Sequence, residues 1–301
     1  MRSRYVPLFL LMCASLFVNL CPNAFAKTAL TCKFSPLPLP GNFNTASGVN
    51  DAGFIVGDIL IGNSPAQGFL LSATGANFFS ISGATQTIPA DINNVGEIVG
   101  SYTDAESVNH GFLHDATGFH TIDYPGQTQN PSTSASGIND QGTIVGTFGI
   151  YYGPGSTQNS YLLQAGMFTE IAFPNAVITD AAGINNEGEI VGAYATLNSD
   201  NSPVFHGFYW REGRFTTVDY PGASSTGLNG INDSGTATGI YADATGKNHP
   251  FVFKADRFFP ISVPPTDTVQ IYGVNNKNEI VGLDIAPDGS IKSNRAYCPS
   301  L

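Results

Sequence analysis

Positive charge, helical patterning and catalytic signatures are all scarce in this sequence. Only 12 residues are Lys or Arg, against 23 Asp or Glu, so the formal net charge is −11 at pH 7. Such a surface repels nucleic acids and anionic lipid headgroups, and neither is expected as a partner. No phosphate-binding loop, nucleophile elbow or HExxH zinc motif occurs. The sequence therefore predicts no catalytic residue, metal site or cofactor, and an enzyme is the less favoured class.

Charged residues of either sign are also few, at 12% of the chain, whereas glycine is abundant with 34 residues. A disordered chain would carry far more charge. This composition is typical of turn-rich, secreted β structure.

The first 26 residues have the pattern of a secretory signal peptide. Arg2 and Arg4 precede an apolar run over residues 5–20, and the segment closes on an A-x-A cleavage site. An uncleaved membrane anchor is the alternative, but the run is shorter than the roughly 20 residues that a spanning helix needs. Loss of two arginines would change the net charge from −11 to −13. We expect a mature chain of residues 27–301, free of the membrane and secreted or periplasmic.

One signature recurs six times along the chain. Each copy begins with an Asn and has a Gly seven residues later, and five of the six copies also have a Gly at the third position after the Asn. The copies begin at Asn50, Asn93, Asn139, Asn185, Asn232 and Asn275, spaced by 43 to 47 residues. A period in the forties with little helical patterning predicts a β-propeller built from four-stranded sheets.

Turn chemistry explains the spacing within each copy. The first Gly suits a left-handed hairpin position, where the sixth copy has Asn278, and the opening Asn can bond its own following backbone. A calcium loop is the alternative, but the acidic spacing that it requires is absent. The second Gly falls within a strand, where we expect a third-strand aromatic to cover it. The six candidates are Phe69, Phe112, Tyr161, Phe208, Phe251 and Tyr297.

The two chain ends together supply one complete repeat. The sixth repeat stops at Leu301 after its third strand, while Phe34, Leu37 and Pro40 match the fourth-strand pattern of the other repeats. Prolines in the fourth strands fall on alternate positions, which predicts an unpaired outer edge. We therefore expect an all-β, six-bladed propeller of four-stranded antiparallel blades. It forms one domain, in which residues 27–45 complete the blade formed by residues 271–301.

Two cysteines remain after signal cleavage, in a chain bound for an oxidising compartment. Aligning Tyr297 with the third-strand aromatics of the other repeats puts Cys298 at the end of a third strand. Aligning Phe34 with the fourth-strand aromatics puts Cys32 in the preceding turn. Positions so close across a turn lie within the roughly 4.4–6.8 Å between Cα atoms that a disulfide spans. The sequence predicts a Cys32–Cys298 disulfide.

The pattern GINDQGTIVG at 137–146 and HGFLHDATGFHTIDYPG at 110–126 resembles the HAF repeat family of predicted extracellular bacterial proteins. The family's name motif stands here as His110-Gly111-Phe112 and His206-Gly207-Phe208, without its middle Ala, which marks a divergent member. The resemblance covers nearly the whole mature chain. It implies a secreted repeat protein and supplies no activity or catalytic residue.

Three histidines and two tyrosines are the candidate site residues. His110, His206 and His249 begin third strands, and Asp123 and Asp219 end the adjacent fourth strands of two of these repeats. A metal or acid–base ring is one interpretation; a local His–Asp contact repeated with the blade is the favoured one. Tyr151 and Tyr152, in the longest loop, could form a platform for a sugar ring, although packing over the scaffold is the more common role.

Three functions remain open. The leading one is a monomeric binding module for an extracellular polysaccharide or a cell-surface protein, because variable loops on a rigid scaffold are the usual site of recognition. The second is a lyase, lactonase or hydrolase with a site at the channel mouth. The third is a structural surface module.

Overall fold

Twenty-four β-strands make up the regular structure of the computed structural model, which describes residues 29–41, 43–62, 64–127, 131–149, 157–263 and 268–299. None of these residues belongs to a helix long and apolar enough to cross a membrane. The strands are β1 (Lys33–Pro36), β2 (Phe43–Val49), β3 (Ile55–Leu60), β4 (Gln67–Ser72), β5 (Gly75–Phe79), β6 (Gln86–Ile92), β7 (Ile98–Thr103), β8 (Asn109–Asp115), β9 (Gly118–Ile122), β10 (Thr133–Ile138), β11 (Ile144–Phe148), β12 (Asn159–Gln164), β13 (Met167–Ile171), β14 (Ile178–Ile184), β15 (Ile190–Leu197), β16 (Pro203–Arg211), β17 (Arg214–Val218), β18 (Ser225–Ile231), β19 (Ala237–Ala242), β20 (Asn248–Lys254), β21 (Arg257–Pro260), β22 (Thr268–Val274), β23 (Glu279–Ile285) and β24 (Ile291–Tyr297).

Sixteen of these strands form four separate four-stranded antiparallel sheets, as expected for propeller blades. Their orders are β6-β7-β8-β9, β10-β11-β12-β13, β14-β15-β16-β17 and β18-β19-β20-β21. The other eight strands form one sheet, of order β22-β23-β24-β2-β3-β4-β5, with β1 paired to β24. The two halves of that sheet join through a single parallel pair, Phe43 with Ile291. The described sheets are thus four separate blades and one eight-stranded sheet, where the sequence predicted six separate blades.

The hairpin turns follow the predicted chemistry. Gly142 has φ 72° and Asn278, its counterpart in the sixth repeat, has φ 59°, so both are left-handed. The Oδ1 atom of Asn139 accepts hydrogen bonds from the backbone N–H groups of Gln141 and Thr143, at 3.1 and 3.0 Å. This local bonding confirms the turn interpretation of the signature.

Third-strand aromatic side chains cover the mid-strand glycines of the second to fifth repeats as predicted, and in the first repeat Phe69 pairs with Gly57. A Cβ at Gly100 would lie 2.7 Å from the ring of Phe112. Gly282, by contrast, pairs with Asn294, while Tyr297 pairs with Glu279 and is 56% exposed. The prediction for Tyr297 was wrong by three residues, because the turn that leads from β23 into β24 sets the register of this hairpin.

The Cys32–Cys298 disulfide is confirmed, with Cα atoms 4.3 Å apart. Phe34 pairs with Ala296 as Phe119 pairs with His114, so Cys32 and Cys298 occupy turn positions that are consecutive in the second repeat. The bond therefore joins the two chain ends where the other repeats have a covalent hairpin turn, although the predicted register of Cys298 was wrong.

The hydrophobic core lies between neighbouring sheets. One cluster, for example, joins Val145 of the third repeat to Ile184, Ile190 and Phe208 of the fourth. Outer strands β5, β9, β13, β17 and β21 each end their sheet, which agrees with the proline pattern. Each repeat thus buries its apolar residues against the next one, and the first strands are left around a common axis.

Candidate functional site

The candidate histidines make similar, separate contacts in three repeats. His110 lies 2.8 Å from Asp123 through Nδ1 and 3.2 Å from Asp104 through Nε2, and its ring stacks on Tyr102 with centroids 5.0 Å apart. Burial disfavours the charged imidazolium, but hydrogen bonds to both carboxylates outweigh it and raise the pKa of His110.

His206 repeats the Nδ1 contact, with Asp219 at 2.9 Å, and His249 repeats the Nε2 contact, with Asp243 at 2.8 Å. No group of three metal-ligating side chains is found among the residues that the structure describes. The histidines are therefore not brought together. Tyr151 and Tyr152 lie outside the described residues.

Around the axis, the repeat asparagines form a closed circle of hydrogen bonds. The side-chain amide of each one donates to the backbone carbonyl of its counterpart in the next repeat, at 2.9 to 3.2 Å. Asn275 donates to Asn50 and so closes the circle across 225 residues of sequence. The same side chain that shapes each turn thus also joins neighbouring repeats, a second role that the turn interpretation missed.

The next residue in each repeat forms a second circle, in which aspartate and asparagine alternate. Its members are Asp51, Asn94, Asp140, Asn186, Asp233 and Asn276. Each asparagine amide donates to the Oδ2 atoms of both neighbouring aspartates, at 2.8 to 3.2 Å. Each backbone N–H of the circle also bonds the side-chain Oδ1 of the next member, at 2.8 or 2.9 Å.

Alternation matches every donor to an acceptor. Three amides offer six N–H donors, and three carboxylates accept all six through Oδ2. An odd number of repeats would place two like residues side by side. We call this set the Asp/Asn ring; its signal, D-N-D-N-D-N after the repeat asparagines, is visible in the sequence but was overlooked.

Above the Asp/Asn ring, glycine lines the axis in five repeats and Asp91 replaces it in the second. Neighbouring glycines crowd one another: a Cβ at Gly137 would lie 3.0 Å from the Cα of Gly183. The carboxylate of Asp91 accepts the N–H of its neighbour Ile92 at 2.9 Å and of Ile138 in the next repeat at 3.1 Å. It therefore bridges two repeats in the narrowest part of the channel.

The channel widens above Asp91 into a cavity of about 300 Å³. We call it the axial cavity. Its polar lining comes from residues that differ between repeats: Ser47, Asp91, Ser136, Asp180, Asn229 and Tyr272. None of the described residues that line it is Lys, Arg or His. The cavity is therefore an acidic, hydroxyl-bearing site built from the departures from the repeat, which sequence analysis alone did not place.

Burial perturbs the carboxylates along the channel. Channel solvent reaches Asp91 and Asp180, so both are only partly buried by surface area, yet protein surrounds them closely. Desolvation raises the pKa of Asp91 to about 7, against the opposing effect of its two backbone hydrogen bonds. Desolvation also raises the pKa of Asp180. Such shifts in a cavity are typical of functional groups.

The Asp91→Asn variant is expected to weaken the pH dependence of stability. Between the ordinary aspartate pKa near 4 and the folded value of about 7, folded Asp91 holds a proton that the unfolded chain has lost. Stability therefore falls as pH rises through this window. We expect the free energy of unfolding of the variant to exceed that of the wild type by about 1–3 kcal/mol at pH 8. Near pH 4 the two values should be equal. Thermal unfolding at both pH values tests this prediction. An equal change in stability with pH for the two proteins would contradict it.

A larger cleft, of about 610 Å³, lies between the sheets of the fourth and fifth repeats and extends from Asp233 of the Asp/Asn ring to the outer strand β17. We call it the inter-sheet cleft. Tyr209, Phe253 and Phe258 provide aromatic surface, and Thr216 and Thr217 add exposed hydroxyls. Its charged lining is Glu187, Glu189, Asp219, Asp233, Asp256 and Lys254. The cleft thus combines ring faces with many hydrogen-bond acceptors.

Tyr209 is specific to this cleft. At the corresponding position the first, second, third and fifth repeats have Leu70, Leu113, Leu162 and Val252. Burial and the adjacent carboxylate of Glu189 raise the pKa of Tyr209. Glu189 is itself held by Asn185 at 2.8 Å and Arg211 at 3.3 Å. These contacts fix the ring and its hydroxyl at the cleft wall.

No protein-family model matches this chain, and no curated protein sequence does. Among solved structures it is similar to the fucose-specific lectin from Aleuria aurantia, with TM-score 0.53 and 12% identity over 84% of this chain and 91% of the lectin. It is also similar to TolB from Acinetobacter baumannii, with TM-score 0.51 and 11% identity over 86% of this chain and 65% of TolB.

A protein described as a candidate gluconolactonase gives TM-score 0.50 and 11% identity over 89% of this chain and 93% of that protein. Likeness at such low identity establishes the fold and leaves the function open. The chain has an all-β propeller fold with four-stranded antiparallel blades.

Proposed function

We propose that this protein is an exported, six-bladed propeller that binds carbohydrate in the inter-sheet cleft. The count of six is supported by the Asp/Asn ring, which passes once through each of six repeats before it closes. Within the eight-stranded sheet, the single pair between β24 and β2 would then separate two blades. Export is supported by the disulfide, which requires an oxidising compartment, and by the predicted signal peptide.

The observation that carries the binding proposal is the pairing of aromatic surface with carboxylates in one concave site. Sugar rings present apolar C–H faces that pack on aromatic rings and hydroxyls that donate to carboxylates. Tyr209 and Phe253 are each partly buried, so the protein holds both rings in place while part of each remains accessible at the cleft. Excess negative charge disfavours sulfated or uronic acid-rich polymers. The ligand class is therefore a neutral glycan.

Filling the cleft should abolish glycan binding. Thr216 is exposed on the outer strand β17, and Thr169 occupies the corresponding position in the third repeat, opposite Leu162. We expect Thr216→Trp to lose binding on a glycan array, while the matched control Thr169→Trp keeps it and both retain wild-type melting temperatures. Equal binding by the two variants would contradict the proposed site.

The similar proteins include a lectin and a candidate gluconolactonase, so binding and turnover are both tested. Release of product from a bound glycan would favour the enzyme alternative, with the channel carboxylates as its candidate groups. Binding only to a cell-surface protein, with no glycan captured, would favour the protein partner.

A further inference from the structure

We propose that the axial cavity is a separate binding site for a small ligand that carries a primary ammonium group and hydroxyls, the chemistry of an amino sugar. This inference goes beyond the inter-sheet cleft and does not depend on it. The described lining residues of the two sites do not overlap.

The ammonium group is inferred from an unpartnered carboxylate. The carboxylate of Asp180 receives no hydrogen bond from any described residue, whereas that of Asp91 in the same cavity accepts two from backbone N–H groups. Protein surrounds Asp180 closely, and its accessible surface faces the cavity. Channel solvent alone compensates this carboxylate for its close protein surroundings, and a bound cation would compensate it more fully.

The size and remaining polar groups of the cavity favour an organic ligand over a metal ion. Metal sites need three or more ligating side chains close together, and the described residues contain no such group. A volume of about 300 Å³ can hold a single sugar ring. Ser47, Ser136 and Asn229 contribute hydroxyl and amide groups that can bond sugar hydroxyls. The hydroxyl of Tyr272 donates to Gln270 at 2.6 Å, which fixes its ring at the cavity wall.

Isothermal titration with glucosamine and glucose tests the proposal on the mature, disulfide-bonded protein. The two sugars differ only in the ammonium group, so we expect glucosamine to bind at least about tenfold more tightly. Asp180→Asn should weaken glucosamine binding by about tenfold or more, whereas the control Asp200→Asn, on an exposed loop, should not. Ser136→Leu, which fills the cavity, should abolish binding without altering charge.

Equal affinities for the two sugars, no measurable binding of glucosamine, or unchanged affinity in folded Asp180→Asn would each overturn the proposal. Loss of glucosamine binding in Thr216→Trp would place the ligand in the inter-sheet cleft and would also overturn it. Failure of neutral glycans to bind the cleft leaves these measurements unaffected, so the two proposals fail separately.

Discussion

Cys298→Ser is expected to lower the free energy of unfolding by up to about 5 kcal/mol. The disulfide closes a loop across 266 residues of sequence, and the entropy that a cross-link removes from the unfolded chain grows with loop length. It also anchors β1, which has only four residues paired with β24. Without the bond, β1 should separate first, because its short pairing with β24 and the bridge of Leu30 to Ile261 then hold the chain end without a covalent link. Thermal unfolding and limited proteolysis should show a lower melting temperature and early cleavage near β1.

The double variant with Cys32→Ser is the control for this effect. Both single variants and the double variant remove the same bond, so their losses should be equal and should not add. Non-reducing mass spectrometry should find the two cysteines joined in the wild type. Two free thiols in folded, oxidised protein, or additive losses, would contradict the account of chain closure.

Asn94→Asp should destabilise the Asp/Asn ring by about 2–4 kcal/mol, because it removes two N–H donors and places three carboxylates side by side. Asn77→Asp makes the same chemical change at an exposed position of β5 and is expected to change stability by less than about 0.5 kcal/mol. Protonation at low pH should restore part of the loss at position 94. Denaturant unfolding at neutral and acidic pH measures both effects; equal stabilities of the two variants would show that the alternation is unimportant.

Local chemistry explains why much of the fold could be predicted from the sequence. The left-handed turn position depends on only a few neighbouring residues. It occurs six times along the chain, for example at Gly142 in the third repeat and at Asn278 in the sixth. The fourth-strand pattern of Phe34 correctly placed β1 beside β24. Tyr297 shows the limit: residue type suggested one register, but the turn before β24 set another.

The candidate sites were harder to predict because they depend on contacts between repeats. A single turn is enough to explain the presence of Asn50. The alternation of Asp51 with Asn94 becomes visible only when different repeats are compared. Asp91 and Asp180 lie on first strands whose bulge recurs in all six repeats, so the backbone there follows the repeat and only the residue types depart from it. Tyr209 lines the inter-sheet cleft only because the sheet of the fifth repeat forms the other wall. Such residues stand out in the sequence as departures from the repeat, and that signal could have drawn attention to them.

A crystal structure with a glycan selected from the array would test the binding proposal most directly. The proposal predicts density for a sugar ring packed on Tyr209, with its hydroxyls bonded to carboxylates of the inter-sheet cleft. Density on another surface, with the inter-sheet cleft empty at saturating glycan, would contradict it.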